Sequence, residues 1–340
     1  MSHAKYPFKR IAFLIIAVFH AILVLTCFHQ ALAGNVENAK QGIIYFDIAL
    51  DETRQRIYGT DEANNQLHVI DMDTLGVVMT IPIGTLDGPT GLDISPNGQE
   101  LAVAVPDPHQ IVFFDLDTLS ITGVVTPNFG VLPYDVVYGR PGRLYSAGRN
   151  GTGIEVIDTI SKTVIGGIYG QFFSTNPKFA ITADNNTLYV GRVNGTPQRI
   201  YRLDISTDTI SETGQTPGPS VRVDDIAVTP DGSKLFTSRG QIWNGALTTV
   251  LGDITIFREQ IEYSDTRQMF YITDGDRINE YDANDYSFIR FYPVSAEAGV
   301  AKLNTAEDTI YVSTENGIEK VPLKDPNFLA NLYLPAILKP

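Results

Sequence analysis

Seven residues occupy one equivalent position in successive copies of a repeated pattern, and they are the residues best placed to do chemistry. In chain order they are Asp47, Gly91, Asp135, Lys178, Asp225, Gln260 and Val300. Carboxylate oxygens arranged in a ring can coordinate a hard cation such as Ca²⁺, and they can also polarise a water molecule or a carbonyl group. The candidate metal ligands are therefore Asp47, Asp135 and Asp225, with Ca²⁺ or another divalent cation as the cofactor.

Two arginines extend this set into a candidate binding site. Arg222 lies shortly before Asp225, and Arg258 lies shortly before Gln260, so both arginines fall next to the same row of positions. Together with Lys178 they would form a polar pocket. The alternative interpretation is structural, because the same side chains can cap strand ends, accept hydrogen bonds from loop amides or line a solvated channel. The sequence leaves both interpretations open.

The elements that position these residues belong to a repeat that runs along most of the chain. Each copy has an anchor residue that usually follows Leu or Ile and precedes a small or β-branched residue. The anchors are Tyr58, Ala102, Tyr145, Tyr189, Phe236, Tyr271 and Tyr311. Their spacing of 35 to 47 residues, with period-2 apolar alternation, matches a four-stranded propeller blade. The sequence predicts an all-β fold, a seven-bladed β-propeller of four-stranded antiparallel blades.

Within a copy, an apolar innermost strand precedes the anchor strand, and a third strand ends in aspartate. Aspartates recur at strand ends before turns, where we expect them to bind turn amides rather than a metal: Asp61, Asp71, Asp115, Asp158, Asp204, Asp274 and Asp282. The fifth copy lacks the Asp-x-x-Thr ending, which predicts a trimmed or distorted blade. The seventh copy has three clear strands. Its fourth strand would come from residues 328–334 or from the residues just after the leader, and would cover an exposed sheet edge.

These motifs resemble the YVTN-type β-propeller repeat. The resemblance rests on Asp47 to Asp51 with Arg56 to Asp61, on Ile226 to Phe236, and on Leu67 to Asp71. It covers roughly residues 42–323 and departs from the strict repeat at Ala102 and throughout the fifth copy. Propellers of this kind include surface-layer proteins, lactonase-like enzymes and quinoprotein-associated subunits, so the resemblance implies a fold and leaves the activity open.

The first 33 residues have the features of a secretory signal peptide. Basic residues lead, an apolar stretch follows from Ile11, and Ala31-Leu32-Ala33 gives a small-x-small cleavage site. The alternative is an uncleaved membrane anchor. We expect residues 34–340 to form one propeller domain, with residues 324–340 as a C-terminal tail. A secreted, periplasmic or cell-surface protein is the predicted localisation.

Composition excludes several classes of function. Cleavage would remove three of the 25 basic residues and leave 22 against 39 acidic residues, a net charge of −17. Such a chain should not bind nucleic acid, because phosphate backbones need Lys and Arg. The single cysteine, Cys27, lies in the leader, so the exported domain has no disulfide and no thiolate nucleophile. His68 and His109 remain, and without a nearby acid cluster we expect them on the surface rather than as ligands.

The function predicted from these observations is an exported binding or interaction module with a protein, glycan or small-molecule ligand at one propeller face. The first alternative is a metal-assisted, lactonase-like hydrolase with its site at the mouth of the central channel. The second alternative is a structural surface-layer component that self-associates. A membrane would be contacted only through the N-terminal segment, if that segment is retained.

Overall fold

The computed structural model describes residues 37–38, 43–86, 88–128, 132–174, 176–193, 198–218, 221–254 and 260–324; of residues 37–38, 150–152 and 170–174 it describes the backbone only. The predicted leader, Arg258 and the tail segment 328–334 lie outside the described residues. The described part contains 28 strands and no helix. It accordingly holds no helix that is long and apolar enough to cross a membrane.

The strand bounds follow the chain in groups that correspond to the predicted copies. They are β1 (Glu37–Asn38), β2 (Ile48–Asp51), β3 (Arg56–Asp61), β4 (Gln66–Asp71), β5 (Val77–Pro82), β6 (Leu92–Ile94), β7 (Glu100–Val105), β8 (Gln110–Asp115), β9 (Ile121–Val125), β10 (Pro133–Tyr138), β11 (Arg143–Gly148), β12 (Asn150–Asp158), β13 (Thr163–Ser174), β14 (Pro177–Ile181), β15 (Thr187–Arg192), β16 (Arg199–Asp204), β17 (Ser211–Gln215), β18 (Ile226–Val228), β19 (Lys234–Thr237), β20 (Gln241–Asn244), β21 (Val250–Asp253), β22 (Ile261–Ser264), β23 (Met269–Thr273), β24 (Arg277–Asp282), β25 (Phe288–Pro293), β26 (Ala298–Leu303), β27 (Thr309–Thr314) and β28 (Gly317–Pro322).

Seven antiparallel sheets of four strands each confirm the predicted seven-bladed propeller. Blades 1 to 6 are made of consecutive strands, from β2–β5 to β22–β25. All seven anchor residues lie on the second strand of their blade, and the aspartate-terminated runs form third strands. Strand-favouring β-branched and aromatic residues fill these positions, as a pleated and half-buried surface requires.

Blade 7 closes the ring with a strand from the other end of the chain. Strand β1 pairs with β28, with Glu37 opposite Lys320 and Asn38 opposite Glu319. Of the two sources predicted for this strand, the structure uses the residues that follow the leader. Tyr45 reinforces the closure, because its backbone N–H donates to Ser313 Oγ of blade 7 at 2.9 Å. Closure by a mixed blade leaves the third strand of blade 7 partly covered.

The fifth blade has all four strands, but they are short. The blade is therefore trimmed in strand length, as predicted, and no strand is missing. Its strands have three or four residues each. Trp243, which replaces the usual ending of the copy, is 3% exposed and packs with Tyr189 of blade 4 in a buried cluster.

The core is divided among the junctions between blades. Each pair of successive blades, including blades 7 and 1, encloses its own cluster of buried apolar side chains. The anchor tyrosines stand in these clusters, and some also bond across them. Tyr189 Oη donates to the carbonyl of Gly245 on blade 5 at 2.7 Å. Because every junction is packed, the innermost strands are held at fixed positions around the axis.

Aspartates at the ends of third strands bind turn amides, as predicted. Asp71 Oδ1 accepts hydrogen bonds from the backbone N–H groups of Asp73 and Thr74, and Asp115, Asp158, Asp204 and Asp282 each accept one from the residue two positions later. These hydrogen bonds lower the pKa of Asp71, the backbone bond from Thr74 contributing most. The recurrent acids therefore serve the turns of their own blades.

The prediction that both histidines lie on the surface is right for His109 and wrong for His68. His109 is exposed. His68 is 3% exposed, and its ring bonds Tyr45 Oη at 3.1 Å and Gln66 Oε1 at 2.9 Å. Burial lowers the pKa of His68, although Asp61 opposes the shift. It is a core residue because the four central residues of strand β4 are all buried, and its ring packs against Tyr45, which precedes β2.

Candidate ligand-binding site

The innermost strands bring the predicted row of residues together around the central channel. A cavity of about 300 Å³, here called the channel cavity, is lined by Asp47, Asp135, Lys178, Asp225 and Gln260 among others. The structure thus places these five of the seven residues in the predicted binding site at one location. Gly91 contributes no side chain because a Cβ there would come within 2.4 Å of Asp135 Oδ1.

Carboxylates on the channel wall link the innermost strands of neighbouring blades. Leu92 N–H of blade 2 donates to Asp47 Oδ2 of blade 1 at 3.3 Å. Ile261 N–H of blade 6 donates to Asp225 Oδ2 of blade 5 at 3.1 Å. Part of the structural interpretation is therefore correct, since two of the three predicted metal ligands bind backbone amides of the next blade.

Asp135 differs from the other two aspartates of the row. Its Oδ1 accepts a hydrogen bond from the backbone N–H of Val136 at 3.0 Å, but its Oδ2 has no hydrogen-bond partner among the described residues. The residue is 8% exposed and lines the channel cavity. This oxygen is not among the fully enclosed side-chain atoms that lack a partner, so it is open to the channel, where water or a ligand can pair with it.

Lys178 supplies a positive charge beside Asp135. Its Nζ lies 5.4 Å from the centre of the Phe46 ring, and it makes no hydrogen bond or ion pair with any residue in the described ranges. Desolvation lowers the pKa of Lys178, but the carboxylates of Asp135, Asp225 and Asp47 outweigh it and raise the pKa. The ammonium is therefore charged and directed into the channel.

The same burial raises the pKa values of the channel acids. Desolvation raises the pKa of Asp135 to about 7, with Lys178 opposing the shift and Asp47 adding to it. Desolvation likewise raises the pKa of Asp225, and Lys178 again opposes the shift. A carboxyl whose pKa lies near neutrality exchanges its proton easily, so the charge of the channel responds to what enters it.

A second row of charged residues lies two positions further along the innermost strands and was missed from the sequence. Asp93, Glu262 and Lys302 belong to it. Lys302 Nζ pairs with Glu262 Oε1 at 3.2 Å, and Asp93 Oδ2 accepts a hydrogen bond from the N–H of Tyr138 on blade 3 at 2.7 Å. Desolvation raises the pKa of Asp93 to about 7. Strand periodicity could have revealed this row, because residues i and i+2 share a face.

A second cavity, here called the entry cavity, opens at the ends where the innermost strands begin. It measures about 450 Å³, and Tyr134, Phe46, Asn176, Asp224 and Arg239 are among its lining residues. The rings of Phe46 and Tyr134 meet edge to face, with centroids 5.2 Å apart. Asp224 Oδ2 accepts a hydrogen bond from Arg239 Nε. One wall of the entry cavity is thus aromatic, and another is a paired acid and base.

The two cavities meet at Lys178 and Gln260, which line both of them. We call Lys178, Gln260 and Asp135 the channel junction. Like Lys178, the Gln260 amide has no hydrogen bond to any described residue. The junction therefore gathers from three blades a donor, an amide that both donates and accepts, and an acceptor, none of which is hydrogen-bonded to a described residue.

Of the two arginines in the predicted binding site, the structure describes one and places it away from the junction. Arg222 forms an ion pair with Asp253 on the outermost strand of its own blade and lines neither cavity. Arg258 lies outside the described residues. For the metal hypothesis, the described residues contain no group of three or more histidine, cysteine, aspartate or glutamate side chains that could hold an ion.

Comparisons with known proteins identify the fold and no family. No family model and no curated protein sequence matches the chain. Solved structures do match. A chain of hydrazine synthase from Kuenenia stuttgartiensis is similar with a TM-score of 0.71 and 13% identity, over 85% of this chain and 97% of that one. A chain of a mitotic checkpoint complex is similar with a TM-score of 0.71 and 15% identity, over 86% and 92% of the respective chains. At such identities the likeness shows the propeller fold alone, and the YVTN resemblance stays a prediction.

Proposed function

We propose that this chain is an exported binding module that takes its ligand at the channel junction. The observation that carries the proposal is that Lys178 Nζ, the Gln260 side-chain amide and Asp135 Oδ2 line the channel there without a hydrogen bond to any described residue, where two cavities share lining residues. Concave sites with a few convergent polar groups and perturbed pKa values are the usual form of ligand-binding sites. The seven packed blade junctions keep these groups in place before the ligand arrives, which lowers the cost of binding.

Binding is favoured over metal-assisted hydrolysis because two of the three predicted metal ligands already accept hydrogen bonds from backbone amides. Asp47 and Asp225 each use one oxygen to bind an amide of the next blade, and Lys178 brings a positive charge to the place where a divalent cation would have to sit. The similar chains come from an enzyme and from a protein assembly, so the fold is compatible with either activity.

Thermal unfolding of the protein formed by residues 34–340 tests the proposal. The protein is screened against a panel of sugars, amines, carboxylates and short peptides, and each stabilising compound is measured again on two variants. Lys178→Met removes the ammonium at the junction, whereas Arg222→Met removes a nearby cation that lines neither cavity. A ligand of the junction should stabilise the protein and the Arg222 variant, and should lose its effect in the Lys178 variant. A panel in which every effect survives Lys178→Met would refute the site.

A further inference from the structure

The outermost strand of blade 6 leaves an aromatic surface uncovered. Strand β25 is the edge of its sheet and pairs with no further strand among the described residues. Phe288 is 54% exposed and Phe291 is 51% exposed. Tyr281 meets the Phe288 ring edge to face at 5.6 Å, and the Arg277 guanidinium lies 5.6 Å from the centre of the Phe291 ring. Even with these neighbours the two rings remain half exposed, and an apolar sheet edge of this kind is a surface that proteins normally cover.

The chain leaves the propeller beside this edge strand. The backbone N–H of Lys324 donates to Tyr292 Oη of β25 at 3.2 Å, and the Lys324 carbonyl accepts a hydrogen bond from Arg267. Both partners of Lys324 are held by the buried Glu280: Tyr292 Oη donates to it at 3.0 Å, and a guanidinium nitrogen of Arg267 lies 3.6 Å from it. A buried network of blade 6 therefore fixes the point from which residues 325–340 depart.

The segment that departs from this point is apolar. Residues 326–338 contain no charged side chain and read Pro-Asn-Phe-Leu-Ala-Asn-Leu-Tyr-Leu-Pro-Ala-Ile-Leu, a stretch shorter than the roughly 20 residues of a membrane-spanning helix. The outer place of blade 7 is held by β1, so residues 328–334 do not have that place. Three linking residues, 325–327, reach about 10 Å, and residues 328–334 are then long enough to follow β25 at about 3.3 Å per residue.

We propose that residues 328–334 of the same chain dock along the outer edge of blade 6, with their apolar side chains against Phe288 and Phe291. Exposure alone does not select this edge, since outermost strands of other blades also expose apolar side chains such as Ile121. The fixed exit at Lys324 selects it, because a tethered segment meets a neighbouring surface at an effective concentration on the order of millimolar. Docking adds main-chain hydrogen bonds to the edge strand as well as apolar contact. This inference is independent of the ligand proposed for the channel junction.

Thiol labelling tests the docking, because the 34–340 protein has no native cysteine. Phe288→Cys is labelled with a maleimide in two backgrounds, the otherwise native chain and a chain that also carries Phe328→Ser and Leu332→Ser. We expect labelling at least about 10-fold faster in the second background, because the cysteine is protected only while the segment is docked. Ile121→Cys on blade 2, where the native side chain is 59% exposed, should react at the same rate in both backgrounds. Equal rates at Phe288→Cys would overturn the proposal.

Disulfide trapping identifies what occupies the edge. Phe291→Cys is combined in turn with Ala330→Cys, Leu332→Cys and Leu334→Cys, and each protein is oxidised at low concentration and separated without reductant. We expect a disulfide within one chain for at least one of the three pairs. Disulfides formed only between two chains would show that a second copy covers the edge, and would overturn docking by the same chain.

A matched control distinguishes docking from random motion of the tail. Asp265→Cys replaces Phe291→Cys in the same three pairs. Asp265 is exposed and lies two positions from Arg267, so it is near the same exit but not on the edge strand. Its disulfides should form at least about 10-fold more slowly than the fastest pair of Phe291→Cys. Equal rates at the two positions would show a tail that does not dock and would refute the proposal.

Discussion

Replacing Asp135 by asparagine should change how the stability of the protein depends on pH. Burial raises the pKa of Asp135 to about 7 in the folded protein, whereas an aspartate in an unfolded chain titrates near 3.9. The folded state therefore holds a proton that the unfolded chain has already lost between pH 4 and pH 7. Protonated Asp135 therefore contributes stability at low pH, and this contribution is lost progressively as the pH rises from about 4 to about 7.

The expected size follows from the two pKa values. Between pH 5 and pH 8.5 the ionisation of this one carboxyl should remove about 2 to 3 kcal/mol from the free energy of unfolding. Asparagine mimics the protonated form and cannot ionise. The difference between the free energies of unfolding, Asp135→Asn minus native protein, should therefore be about 2 to 3 kcal/mol larger at pH 8.5 than at pH 5. The variant thus gains stability relative to the native protein as the pH rises. Lys178 stays charged in the variant, because Asp225 and Asp47 also raise its pKa.

Urea unfolding at constant ionic strength, repeated at several pH values from 5 to 8.5, measures this difference. Asp71→Asn is the matched control. Turn amides lower the pKa of Asp71, so it is ionised throughout this range and its replacement should shift stability equally at every pH. A difference between Asp135→Asn and the native protein that does not change with pH would refute the assignment. A variant that loses relative stability as the pH rises would contradict its sign.

Three further perturbations follow from the structure. Millimolar Ca²⁺ or a chelator should leave the unfolding temperature of the 34–340 protein unchanged, because Lys178 opposes a divalent cation among Asp47, Asp135 and Asp225; a rise that vanishes in Asp225→Asn would restore the metal site. Tyr189→Phe removes the 2.7 Å hydrogen bond to Gly245 of the next blade and should lower the free energy of unfolding in urea by about 0.5–1.5 kcal/mol. Tyr263→Phe removes an exposed hydrogen bond to Asp265 and should cost less. Equal costs would contradict a stabilising role for the hydrogen bond between blades 4 and 5. A protein that begins at Ile43 lacks β1, the partner of β28, and its free energy of unfolding should fall by about 1 to 3 kcal/mol. It should also associate through the uncovered edge of β28, which sedimentation would detect. Unchanged stability and sedimentation would argue against closure by β1.

The repeat made the fold predictable, because its anchors fix the order and number of blades before any contact is known. The sequence also aligned Asp47, Asp135, Lys178, Asp225 and Gln260, which the structure brings to one channel. The sequence does not predict that Asp47 and Asp225 bind amides of the next blade while Asp135 does not. That difference depends on the offset between neighbouring innermost strands. The burial of His68 against Tyr45 was missed for a related reason: no local pattern shows which blade a polar side chain faces.

A crystal structure of the 34–340 protein, soaked with the compound of the panel that stabilises it most, tests the central claim most directly. The account predicts ligand density at the channel junction, with polar atoms within hydrogen-bond distance of Lys178 Nζ, the Gln260 amide and Asp135 Oδ2. Density for the ligand elsewhere, with only ordered water at the junction, would contradict it.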